Sequence, residues 1–86
     1  MARYSHGFIE DYDGLMGFGL DRETDEATVR SYLQMISDDE CSGALVSRMS
    51  DEDLEAVFNQ LSDLLRRHFN EEEYHRLFLK EEHHHG

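Results

Sequence analysis

Proline is absent from this chain, cysteine occurs once, and no apolar run reaches the length of a membrane span or a signal-peptide core. Without proline, and without any Gly/Ser-rich stretch, nothing marks an internal linker. A lone Cys41 excludes an intrachain disulfide and is compatible with a reducing compartment, where it reads as a small packing residue. The longest apolar candidate, Leu15 to Leu20, is broken by Gly17 and Gly19, so neither a membrane span nor a targeting segment is expected and cytoplasmic residence is the simplest reading. Basic residues are also scarce. Eight Lys and Arg stand against twenty Asp and Glu, a net charge of −12 that repels phosphate backbones and anionic lipid surfaces. Direct nucleic-acid and membrane binding are therefore not expected, whereas a basic protein partner is electrostatically favoured.

What is present is helical punctuation. Asp38-Asp39-Glu40, Ser50-Asp51-Glu52-Asp53 and Asn70-Glu71-Glu72-Glu73 each place a capping oxygen and carboxylates where a helix leaves its first amides unpaired. Much of the acidity is thereby accounted for as helix starts. Before each of these stands a segment with apolar residues at helical spacing, and no segment alternates with the period of a strand.

Five helices are expected. Phe8, Tyr12, Leu15 and Met16 line a first helix from about Ser5 to Met16, closed by Gly17-Phe18-Gly19. Ala27, Val29, Tyr32, Leu33 and Ile36 sketch a second, capped by Thr24 and ending near Ser37. A third runs from about Asp39 to Met49, weakened by Gly43. The fourth is the strongest: Leu54, Val57, Phe58, Leu61, Leu64, Leu65, His68 and Phe69 form one stripe between Ser50 and Phe69. Ser50 and Asp53 resemble a capping box with aspartate in place of glutamate, and Asp63 and Arg67 are spaced to pair. The fifth, from about Glu71 to Lys80, carries Tyr74, Leu77 and Phe78, with Glu72 and Arg76 as a second i,i+4 pair.

The connections at Ser37-Asp38, Met49-Ser50 and Phe69-Asn70 are very short, so the expected fold is all-α, a small irregular or orthogonal bundle of four to five short helices. Residues 1–82 read as one helical domain. Residues 83–86 read as a His-rich tail, either a tag remnant or a native polar end, and are set aside from any native site. With 86 residues and 38% hydrophobic content the chain can bury a modest core, and a self-associating homo-oligomer is a natural way to add stability.

Catalytic signatures are missing. The serines lie outside any nucleophile-elbow motif, Gly14, Gly17 and Gly19 do not make a phosphate loop, and neither glycine-centred alignment yields an EF-hand. No enzyme is expected. One constellation resembles metal ligands: His68, Glu72 and His75 are separated by four and three residues, and Glu72-x-x-His75 has the spacing used in di-iron carboxylate bundles. On a continuous helix these three would share a side and suit zinc, iron or manganese. The cap signal from Asn70 to Glu73 argues for a break between His68 and Glu72, in which case His68 covers the core edge and Glu72 caps.

The first twenty residues are aromatic-rich, and Tyr4, Phe8, Tyr12 and Phe18 form the expected contact surface if they are not spent on the core. The sequence therefore reads first as a small acidic helical protein-interaction or regulatory module without a cofactor. A metal-binding bundle is the alternative, and an acidic mimic occupying a basic nucleic-acid-binding protein is the third.

Overall fold

The computed structural model describes residues 7–81, and these are helical without a strand. The helices are α1 (Gly7–Asp11), α2 (Arg22–Ile36), α3 (Asp39–Arg48), α4 (Asp51–His68) and α5 (Glu71–Glu73), the last continuing as a π-helical turn, Tyr74–Phe78. The all-α reading holds. The chain divides into two compact units, Met1–Arg48 and Met49–Gly86.

In the first unit α1 is shorter than its apolar spacing suggests, ending at Asp11 rather than Met16. The reason is local. The Tyr12 hydroxyl donates to the Leu15 carbonyl at 2.7 Å, which folds the following residues under the ring. A Cβ on Gly14 would lie 2.6 Å from that hydroxyl, so the turn needs glycine there. Leu15 and Met16 consequently leave the helix and are exposed.

Helix α2 begins earlier than expected. Asp21, not Thr24, is the N-cap: its carboxylate accepts from the Thr24 amide at 2.8 Å and from the Thr24 hydroxyl at 3.2 Å. An ionised acceptor three residues upstream outcompetes a hydroxyl for the orphan amides, and these bonds hold the Asp21 carboxyl below the usual carboxylate range. Asp25 accepts from the Gly19 amide at 2.8 Å, fixing the preceding turn, where Gly19 has a φ of 97°.

The burial of α2 reverses its amphipathic pattern. Thr28 and Ser31 are buried, whereas Val29, Tyr32, Leu33 and Ile36 are exposed. Thr28 explains the orientation, because its hydroxyl both accepts from the Gly17 amide and donates to the Gly17 carbonyl, each at 3.0 Å. Polar clasps draw the loop and α1 onto that side: the Gln34 side chain accepts from the Ile9 amide at 3.1 Å, satisfying an orphan amide of α1.

Helix α3 is capped by Asp38, whose carboxylate accepts from the Glu40 and Cys41 amides at 3.2 and 3.3 Å, and Gly43 does not interrupt it. Cys41 is exposed rather than packed.

The second unit follows its punctuation closely. Ser50 and Asp53 form the capping box, with the Asp53 amide donating to the Ser50 hydroxyl at 3.1 Å and the Ser50 amide donating to the Asp53 carboxylate at 3.2 Å. Asp63 and Arg67 pair at 2.8 Å. At Phe69 the backbone turns extended, and Asn70 with Glu73 forms a second capping box that restarts the chain as α5. The π-helical turn that follows is not signalled by residue spacing. It closes with Lys80 at a φ of 59° and the Glu81 amide donating to the His75 carbonyl at 2.9 Å.

The expected modest core is not formed: among the described residues no hydrophobic side chain is buried. Residues 51–60 of α4 are exposed throughout, including Leu54, Val57 and Phe58. Capping and i,i+4 pairs hold the helices locally, while their apolar stripes remain on the surface.

Candidate functional site

The second unit builds an open aromatic cleft at the corner between α4 and α5. Its shape follows from the two boundary residues Phe69 and Asn70, which turn the chain so that the π-helical segment faces the C-terminal half of α4. Phe58, Leu65, Phe69, Tyr74 and Phe78 line a volume of about 460 Å³, with Arg66 and His75 among its polar members. Tyr74 and Phe78 stack at 5.3 Å, made possible by their four-residue separation, and His75 packs edge-on to Tyr74 at 5.7 Å. Phe58 and Phe78 remain exposed. An apolar floor with Arg66 among its lining has the chemistry to accept an apolar or aromatic group.

The residues expected to bind metal are not arranged as ligands. His68 ends α4, the chain breaks at Phe69, and Glu72 and His75 belong to the element that follows. Glu72 instead pairs with Arg76 at 3.0 Å, and His75 Nδ1 lies 2.7 Å from the Glu81 carboxylate. Among the described residues no group of three or more His, Cys, Asp or Glu side chains is placed to hold a metal ion. The physical cause is the capping box at Asn70, which satisfies the new helix's amides only if the preceding helix has ended.

In the first unit, Phe8 and Tyr12 stack at 5.3 Å and the Arg30 guanidinium lies 4.0 Å from the centre of the Phe8 ring. Both rings are half-buried and serve to pin the short α1 onto α2. Phe18 is different, being 73% exposed. With Met16, Val29, Tyr32 and Leu33 it lines a shallow apolar groove of about 350 Å³. Tyr4 lies outside the described residues. The expected aromatic surface thus divides: Phe8 and Tyr12 stabilise the unit, and Phe18 joins a face contributed largely by α2.

Spacing alone marked the α2 stripe as core-facing, and Thr28 was the missed signal. The Thr28 hydroxyl bonds both backbone groups of Gly17, in a loop that needed backbone partners. Two serine hydroxyls of α3 bond helix backbone: Ser42 donates to the Asp39 carbonyl and Ser47 to the Ala44 carbonyl. No described helix is long and apolar enough to cross a membrane. No family model, curated protein or solved structure matches the chain.

Proposed function

We propose that this chain is a helical protein-interaction module whose apolar faces are completed by association. The observation that carries the reading is the exposure of two stripes at helical spacing, Val29, Tyr32, Leu33 and Ile36 on α2 and Leu54, Val57 and Leu61 on α4, in a protein with no buried hydrophobic side chain among its described residues. Contiguous apolar surface of this kind marks an interface in proteins that remain soluble. The clefts beside Phe18 and Phe58 give it the relief that a partner's side chains can fill. On this reading the chain acts as a cytoplasmic, non-enzymatic regulatory protein. The net charge of −12 favours a basic surface on any partner other than a second copy.

Hydrogen exchange and binding of a hydrophobic dye test the reading. Dilute protein is expected to bind the dye and to exchange the amides of α2 and α4 readily, with both signals suppressed on association. Strong amide protection and no dye binding in dilute, monomeric protein would show that a single chain covers its own stripes and would overturn it.

A further inference from the structure

The surface of α4 is self-complementary, and this inference rests on the interaction reading above while naming the partner. Leu54, Val57, Leu61, Leu64 and His68 recur at alternating intervals of three and four residues, the seam of a two-helix coiled coil. The cleft side of the same helix carries Phe58, Ser62, Leu65 and Phe69, so the cleft opens beside this seam rather than over it, and within the seam Leu64 is half-buried. Leu54, Val57 and Leu61 are 40%, 46% and 45% exposed.

Charge selects the orientation. The first turn of α4 holds Asp51, Glu52 and Asp53, and its last turn holds Arg66, Arg67 and His68. A parallel pair sets acid beside acid at one end and base beside base at the other, whereas an antiparallel pair sets each acidic turn beside a basic one and opposes the two helix dipoles. We propose that two copies of this chain associate through α4 in antiparallel register. Leu54 then faces the partner's Leu64, and Val57 faces the partner's Leu61. A two-fold axis beside Asn59 repeats both contacts, so every leucine and valine of the seam finds an apolar partner at once.

On the flank, Asp53 approaches the partner's Arg67, which is already oriented by Asp63 in its own chain. The net charge of −12 per copy opposes association only weakly, because at physiological salt charges more than about 8 Å apart are screened. One helix of 18 residues per copy is a small interface, so the dimer is of the weak, reversible class.

Cysteine crosslinking and sedimentation of the full chain test this, in a Cys41→Ser background. In the antiparallel pair Gln60 lies beside its own counterpart across the axis, whereas the two Leu54 residues are separated by ten residues of helix, about 15 Å. Gln60→Cys is expected to form an intermolecular disulfide in a glutathione buffer and Leu54→Cys is not. Leu61→Glu, which keeps good helix propensity, is expected to weaken the dimer by more than about 100-fold because the change enters two layers at once. A dimer that crosslinks through Leu54→Cys, or that survives Leu61→Glu, overturns the antiparallel pairing and leaves the interaction reading standing. A chain that stays monomeric at all concentrations overturns the pairing; amide exchange of α4 in that monomer then decides the broader reading, slow exchange overturning it and fast exchange supporting an uncovered face.

Discussion

Replacing Ser50 by alanine removes the acceptor for the Asp53 amide while leaving no cavity, since Ser50 and the whole first half of α4 are exposed. The cost therefore isolates the cap. A lost Ser N-cap typically costs about 1 kcal/mol, within a range of about 0.5–2. Loss of the reciprocal Asp53 bond to the Ser50 amide adds little, because the amide is free to turn to water. On an uncovered helix this is a large share of the local stability. The Asp63 and Arg67 pair contributes only about 0.3–0.5 kcal/mol, and each first-turn carboxylate about 0.3–1. Ser50→Ala is thus expected to raise amide exchange in the first turns of α4 by about fivefold, which corresponds to about 1 kcal/mol. Ser50→Gly is expected to cost only a few tenths. The assay is hydrogen exchange at a concentration where the chain is monomeric, with helicity followed by circular dichroism. An effect below about 0.3 kcal/mol for Ser50→Ala would refute the argument that α4 is held by local interactions, because a helix fixed by tertiary packing would not exchange through fraying at its cap.

Four further outcomes follow from single sites. Ser31 is fully buried with its hydroxyl lacking a hydrogen-bond partner, so Ser31→Ala is expected to raise the denaturation midpoint by about 1–2 kcal/mol equivalent, from the relieved hydroxyl and the better helix propensity. Lys80 holds a left-handed conformation at the end of the π-helical turn, and Lys80→Gly is expected to stabilise the second unit by up to about 1 kcal/mol in thermal unfolding. Asp21 is held below the usual carboxylate range chiefly by the Thr24 amide, so its contribution is complete above the unfolded-state value and is lost as pH falls through the lower folded-state value; the acid-induced loss of α2 helicity is expected to be smaller in Asp21→Asn, which keeps a capping oxygen but cannot be protonated, and an unchanged acid titration would refute this. Zinc binding measured calorimetrically on protein lacking residues 83–86 is expected to be indifferent to His75→Ala, since His68 and His75 lie on either side of the Asn70 cap; a dependence on both histidines would contradict the break.

The legible parts of this fold were those written in local chemistry. Ser50 with Asp53, Asn70 with Glu73, and the pairs Asp63 with Arg67 and Glu72 with Arg76 all involve residues three or four apart, so sequence spacing was sufficient to place them. Helix α4 was legible for the same reason, as was the break that separates His68 from Glu72. The failures came from side chains bonding the backbone at helix ends and in loops, which apolar spacing does not report. Asp21 displaced Thr24 as cap because a carboxylate binds amides more strongly than a hydroxyl does, and α1 stopped at Asp11 because Tyr12 reached forward to Leu15. The reversed burial of α2 depended on Gly17 meeting Thr28 across eleven residues, which periodicity does not encode. The π-helical turn, within which Tyr74 and Phe78 stack, has no counterpart in the residue spacing. Stripe residues marked the helices but not their burial, since those of α2 and α4 are largely exposed.

Sedimentation equilibrium of the full chain at physiological salt, over concentrations from about 1 to 300 µM in keeping with a small, weak interface, tests the central claim most directly. The expected result is a mass rising with concentration from 10.1 kDa toward twice that value, with the dye-accessible surface falling in step. A constant 10.1 kDa accompanied by strongly protected amides in α2 and α4 would contradict it.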